Sequence, residues 1–204
     1  MSRRELVIGV VGLGYVGLAY AVALSLHGFR VIGVDVSKER VEDVRRGLVS
    51  GFGREALLKA TQSSSLEVSA SYDVLRDADT VLVAVNTPTK PDGSQDLFQV
   101  LSALNSLAEV WKSLQFDYHI MVLKSTVLPR TTRALARYAR DELGLPIPDR
   151  VGFAYSPELL KADKALEDVF KPSRVVIRGI NAYSYIRIAT FFREFYNQKP
   201  RPSG

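Results

Sequence analysis

The stretch LVIGVVGLGYVGL, Leu6 to Leu18, decides the fold. Leu6–Val11 is a nearly continuous aliphatic run, the pattern of a strand covered on both faces. Gly12, Gly14 and Gly17 follow it as G-x-G-x-x-G. A helical pattern over 15–27 comes next and stops at Gly28, a residue type that closes helices. A second aliphatic run, Arg30–Val36, then carries Asp35, 18 residues after Gly17. Strand, glycine loop, helix, strand and acid in that order form a dinucleotide-binding fingerprint. Gly12 permits the tight turn, Gly14 lets a pyrophosphate reach the backbone, and Gly17 lets helix and strand pack closely. The helix N-terminus offers free N–H groups and partial positive charge to the phosphates. A carboxylate at Asp35 suits the adenosine ribose hydroxyls and repels a 2′-phosphate, which favours NAD over NADP. The cofactor-binding residues expected here are Gly12, Leu13, Gly14, Tyr15, Val16, Gly17, Asp35 and Arg40. Arg40 is read either as an adenine or ribose contact or as a solvated helix residue.

Outward from this unit, short apolar runs keep alternating with amphipathic stretches. Thr80–Val85, His119–Leu123, Val151–Ala154 and Arg174–Ile177 read as further strands, with Leu66–Ser69 a weaker one. Helical patterns fall at 38–46, 54–60, 71–77, 95–113, 130–143, 158–166 and 181–197, with Pro129 placed as a first-turn proline. This alternation predicts an α/β, Rossmann-type doubly wound fold, a mainly parallel sheet with helices on both faces. The expected division is one domain over 1–198 and a linker over 199–204, where the chain reads KPRPSG.

Composition narrows the function classes. The chain has 204 residues, 47% of them hydrophobic, with a formal charge of +5 and a mean hydropathy of +0.03. That is enough apolar material for a core and excludes a disordered chain. Cysteine is absent, which removes disulfides, cysteine-ligated metal and a cysteine nucleophile from these residues. The apolar N-terminal run is broken by four glycines and lacks a cleavage site, so it reads as neither signal peptide nor anchor. The expectations are no membrane and a cytoplasmic location. Residues 1–123 carry 12 basic and 14 acidic side chains, whereas 124–204 carry 15 and 8. A basic C-terminal portion suits anionic ligands or acidic neighbours.

Three segments follow later strands, at the sheet edge where open α/β proteins hold ligands. They are Val85-Asn86-Thr87-Pro88-Thr89, Lys124-Ser125-Thr126-Val127-Leu128-Pro129 and Tyr155-Ser156-Pro157-Glu158-Leu159-Leu160. Together they describe a nicotinamide-binding crevice in which Glu158 and Thr126 are the candidate proton-handling groups. Glu158 also admits a plainer reading, as a first-turn helix carboxylate complementing the dipole.

With GLGYVGL (12–18), VNTPT (85–89), KSTVLP (124–129) and SPELL (156–160) in order, the chain resembles the N-terminal domain of the UDP-glucose/GDP-mannose dehydrogenase family. The likeness continues through SPELLKADKALEDVFKPSRVVI (156–177). It implies NAD-dependent, four-electron oxidation of a UDP- or GDP-sugar C6 alcohol to a carboxylate, UDP-glucose to UDP-glucuronate being the first choice and GDP-mannose or UDP-N-acetylmannosamine the alternatives. It assigns Glu158 to acid–base work and water activation, and Thr126 to positioning water and contacting the cofactor. Val85, Asn86, Thr87, Pro88, Thr89, Ser125, Thr126 and Val127 become cofactor contacts. Glu158, Leu159, Leu160 and Lys161 become substrate contacts. The resemblance also implies a C-terminal half with the catalytic cysteine, a homodimer when complete, and a 204-residue chain that is inactive by itself.

The chain departs from the family at Ala162, where a second glutamate is common; Asp163 stands beside it. Leu159 replaces a usual phenylalanine, and Gly51-Phe52-Gly53 replaces an acidic-Pro-Gly turn. Competing readings are a β-hydroxyacid or 6-phosphogluconate-type dehydrogenase and a non-catalytic NAD-binding module. Arg130, Arg133, Arg137 and Arg140 share a helix face, read as solvated or domain-facing and not as a nucleic-acid site. His27 and His119 have no metal-ligand spacing, and Trp111 with Phe191, Phe192, Phe195 and Tyr196 reads as packing.

Overall fold

The computed structural model describes residues 6–63, 65–112, 118–161 and 164–197. Its sheet has seven strands: β1 (Val7–Val11), β2 (Arg30–Val34), β3 (Leu66–Ser69), β4 (Thr80–Val83), β5 (His119–Leu123), β6 (Val151–Tyr155) and β7 (Arg178–Gly179). Their order is β3-β2-β1-β4-β5-β6-β7. All pairs are parallel except β6–β7. Every residue of β1, β4 and β5 is buried, because helices cover both faces. In β1, Ile8 and Val10 join one apolar core while Val7 and Val11 join the other.

The helices are α1 (Tyr15–Leu26), α2 (Lys38–Arg46), α3 (Arg54–Gln62), α4 (Phe98–Trp111), α5 (Thr131–Asp141), α6 (Ala165–Phe170) and α7 (Ala182–Asn197), with a 3-10 turn at Tyr72–Asp77. α1, α2, α3, α6 and α7 build one core; the 3-10 turn, α4 and α5 build the other. Gly17 to Ser25 of α1 are all buried, so this helix is apolar all round and needs cover from sheet and neighbouring helices together. The aromatic residues of α7 reinforce that layer: Phe191 and Phe195 meet Phe29 edge-on, and His27 stacks on Phe170 at 5.1 Å. His119 lies on Trp111 at 5.1 Å with Nδ1 2.8 Å from the Ala78 carbonyl, a packing role like that of His27. Gly28 adopts φ +90° just beyond α1, as its place after the helix requires.

Several element boundaries depart from the sequence reading. The expected strand at 174–177 is irregular, and only Arg178 and Gly179 pair, antiparallel to Tyr155 and Ala154. Of the described residues in the expected helix at 158–166, only Ala165 and Leu166 are helical. Before them, side chains take backbone amides: Leu160 N–H donates to Glu158 Oε2 at 2.8 Å and Lys161 N–H to Asp168 Oδ2 at 2.7 Å. Helical structure begins only at Ala165. Pro129 is not in the first turn of α5, because Arg130 adopts φ +73° and delays the helix to Thr131. α4 starts at Phe98, whose N–H donates to Asp96 Oδ1 at 2.8 Å. The expected helix at 71–77 is the 3-10 turn Tyr72–Asp77, opened by Ser71 accepting the Asp73 N–H. The proposed linker at 199–204 lies outside the described residues.

Candidate active site at the C-terminal sheet edge

The site starts at the end of β1. Gly12 has φ +86°, and a Cβ there would lie 2.7 Å from the Ala84 carbonyl oxygen. A Cβ on Gly17 would collide with the Gly12 carbonyl oxygen. Gly14 differs: a Cβ on it would meet nothing within 4 Å, so the space beside its backbone is open. Gly14 is the N-cap of α1 and supplies no side-chain cap, which leaves the first-turn amides to an anion. An NAD pyrophosphate fits this cradle, and no steric demand of the folded chain accounts for glycine at position 14.

Two side chains hold the loop in place. Leu13 N–H donates to Asp35 Oδ2 at 2.8 Å. Arg40 Nε donates to the Leu13 carbonyl at 2.7 Å. Asp35 Oδ1 also accepts the Ser37 N–H at 3.0 Å. Arg40, half-buried, thus braces the glycine loop through its Nε. Leu13 takes part through its backbone, its side chain being fully buried.

Gly12, Gly14, Asp35, Arg40, Val85 and Asn86 line one cleft, joined by Val36, Ser37, Tyr72 and Gln99. It lies where strand order reverses between β1 and β4, the expected ligand position in such sheets. Tyr72 and Gln99 were not legible as site residues. Burial, with a smaller effect from Asp35, pushes the Tyr72 phenol up to about 12, so it stays protonated. Gln99 Oε1 accepts the Asn86 N–H at 3.2 Å. No sequence spacing ties α4 to that loop.

The segments after β4 and β5 are laced together. Thr87 Oγ1 donates to the Thr126 carbonyl at 2.8 Å, and Gln95 Nε2 donates to the same oxygen at 2.7 Å. Ser125 Oγ donates to the Val85 carbonyl at 2.7 Å, which turns its hydroxyl inward. The Pro88 carbonyl accepts the Asp96 N–H at 2.8 Å, and Thr89 bridges to Gln95. Thr126 itself is exposed, while Val127 is buried.

After β6, Ser156 is buried and its N–H donates to the Leu123 carbonyl at 3.0 Å. Glu158 thus stands one strand over from Thr126. It belongs to an extended segment and not to a helix, so the dipole-complementing role does not apply to it. Leu159 is exposed, Leu160 is half-buried and Lys161 is exposed. Tyr15 is turned toward this segment: its hydroxyl donates to the Lys161 carbonyl at 2.6 Å and accepts the Ala165 N–H at 2.9 Å. Ala162 and Asp163 lie outside the described residues.

Beneath the segment sits Lys124, only 1% exposed. Its Nζ lies 2.9 Å from Tyr20 Oη and 3.4 Å from both Ser156 Oγ and the Pro157 carbonyl. It also lies over the Tyr20 ring, 4.3 Å from the centroid. Burial lowers its pKa to about 7, against a smaller opposing pull from Glu158. Among the described residues, no group of three or more His, Cys, Asp or Glu could hold a metal, and no helix is long and apolar enough to cross a membrane.

A parallel sheet with this crossover order, and a glycine cradle with an acid at the next strand's end, define a Rossmann-type dinucleotide-binding domain. Residues 6–198 match the family model described as the UDP-glucose/GDP-mannose dehydrogenase family, NAD binding domain, and the chain belongs to that family. A UDP-glucose dehydrogenase from the archaeon Pyrobaculum islandicum is similar in structure, with TM-score 0.83 and 34% identity over 98% of this chain and 48% of that one. A GDP-mannose dehydrogenase from Pseudomonas aeruginosa gives TM-score 0.85 and 27% identity over 92% and 44%. In sequence, a UDP-N-acetyl-D-mannosamine dehydrogenase from Methanococcus aeolicus is 33% identical over 87% of this chain and 39% of its own length. The chain thus spans less than half of each of these relatives.

Proposed function

We propose that this domain holds the oxidant in a nucleotide-sugar 6-dehydrogenase that takes the C6 alcohol of UDP-glucose to a carboxylate in two NAD-dependent steps. The observation that carries the reading is the placement of Glu158 and Thr126 at the ends of adjacent strands β6 and β5, on the same sheet edge as the Gly14 cradle. NAD, when bound, supplies the hydride acceptor. Gly12, Gly14 and the first turn of α1 hold its pyrophosphate, Asp35 takes the adenosine ribose, and the Val85–Thr89 and Ser125–Val127 segments line the nicotinamide side. Oxidation of an alcohol needs a proton acceptor. If the second oxidation leaves the sugar as a thioester on the family's catalytic cysteine, water must cleave that thioester to free the carboxylate and the thiol, which needs an oriented water. Glu158 serves both needs, with its carboxylate oriented by the Leu160 N–H. Thr126, exposed beside it, orients the water. Leu159, Leu160 and Lys161 face the sugar nucleotide, with the Lys161 ammonium suited to its diphosphate. None of the 204 residues is cysteine, so none of them is the cysteine nucleophile that the family resemblance implies for the second oxidation.

The test is a steady-state assay of the full-length protein with NAD against UDP-glucose, GDP-mannose and UDP-N-acetylmannosamine. Two NADH per UDP-glucose are expected, and Glu158→Gln should lower kcat by roughly 10²–10⁴-fold. Preference for another nucleotide sugar would overturn the substrate assignment. Oxidation of a hydroxyacid alone, or NAD binding without any turnover, would overturn the reaction class.

A further inference from the structure

The hydroxyl of Tyr15 is tied across 146 residues of sequence to the Lys161 carbonyl at 2.6 Å and across 150 to the Ala165 N–H at 2.9 Å. Tyr15 is the first residue of α1, directly after Gly14. One hydroxyl therefore bonds the backbone at Lys161 and at Ala165, while the backbone of the same residue follows Gly14 at the start of α1. Both partners are backbone groups, so a substitution in the tied segment does not remove the link. Among the described residues the segment has other ties, one of them the Lys164 N–H donating to the same Lys161 carbonyl at 3.1 Å. Asp168 Oδ2 takes the Lys161 N–H at 2.7 Å, and Glu158 takes the Leu160 N–H at 2.8 Å.

We propose that Tyr15 is a positioning residue through which dinucleotide binding sets the backbone at Lys161 and Ala165. A pyrophosphate on the first-turn amides fixes the start of α1 and hence the Tyr15 ring. The ring then fixes the Lys161 carbonyl and the Ala165 N–H. Binding that orders one end of a rigid contact lowers the cost of ordering the other, and the coupling is reciprocal. A ligand that needs this segment ordered thus binds the cofactor-loaded domain more tightly. That ligand is the sugar nucleotide, a consequence that rests on the function proposed above; the coupling itself does not.

Amide hydrogen exchange of the 204-residue chain tests it, with and without NAD at a concentration shown by titration to saturate each variant. In the unmodified chain NAD should slow exchange at Leu160, Lys161 and Ala165 about fivefold or more. In Tyr15→Phe, which keeps ring and backbone, that NAD-dependent slowing should fall below about twofold. Asp168→Asn loosens the segment without touching the glycine loop, so it should speed exchange equally in both states and leave the NAD effect intact. Slowing of equal size in Tyr15→Phe, or none in the unmodified chain, would overturn the proposal. So would loss of NAD binding by Tyr15→Phe, because the hydroxyl would then serve the cofactor directly. Turnover plays no part in this readout, so failure of the proposed reaction would not mimic failure of the coupling.

Discussion

At the scale of the residue, Lys124 is the largest departure from what composition and spacing show. Lys124 opens the KSTVLP segment, and the strand register buries it between α1 and the 156–157 turn. Removing an ammonium from water is costly without a paired anion, and here its near neighbours are hydroxyls, a carbonyl and rings. The Tyr20 hydroxyl accepts from Lys124 Nζ, and burial keeps that phenol protonated. The consequence for stability has a definite sign. The folded pKa of about 7 lies below the ordinary value of 10.5. Below about pH 7 both states carry the proton, and from there to 10.5 the unfolded chain carries more. Stability should therefore rise through that window, by about 1.4 kcal/mol for each step of one in pH. Chemical denaturation at several pH values should show this rise in the unmodified chain and a flatter profile in Lys124→Met; identical profiles would contradict it. Asp35 was legible in sequence as a candidate ribose contact, but its bond to the Leu13 N–H was not, because that pairing needs the loop's three-dimensional turn. Asp35→Asn should lower NAD affinity about tenfold, about 1.4 kcal/mol, and narrow the margin over NADP in a calorimetric titration.

At the scale of the element, the glycine loop separates structure from function. Gly17→Ala drives a methyl into the Gly12 carbonyl and should cost more than ~3 kcal/mol of stability, since backbone cannot yield as a side chain can. Gly14→Ala meets open space at an ordinary φ of −66°. It should stay within ~1 kcal/mol of the unmodified chain and still lose NAD binding. Thermal unfolding with and without NAD distinguishes the pair; parallel behaviour of the two would contradict the assignment of Gly14 to the ligand. The start of α5 offers a separate check. Arg130 is the one non-glycine with positive φ among the described residues, a conformation costing an L-residue about 1–2 kcal/mol. Arg130→Gly should recover roughly 1 kcal/mol in denaturant unfolding. These local features also explain where pattern reading stopped. Helical periodicity at 158–166 was real, but the Glu158 and Asp168 carboxylates compete for the amides a helix would use. Aliphatic residues at 174–177 resembled a strand because Val175 and Ile177 pack on a core, which requires no sheet pairing.

At the scale of the whole molecule, the topology was legible because burial on both faces leaves a plain record. Strands β1, β4 and β5 are apolar at nearly every position, and only covered parallel strands look like that. The same topology brings residues 12–17, 35, 85–89, 124–129 and 156–161 to one edge from segments far apart in sequence. Motif order along the chain predicted that gathering. Side-chain ties across it, such as Tyr15 to Lys161, were invisible, since they depend on how α1 packs against α6. The central claim is that this edge binds NAD and discriminates against NADP through Asp35. A thermal-shift titration of the chain with both dinucleotides tests it most directly. The expected result is a concentration-dependent rise in Tm with NAD, following RT ln(1 + [L]/Kd), and a much smaller rise with NADP. No shift with NAD, or an equal shift with NADP, would contradict it.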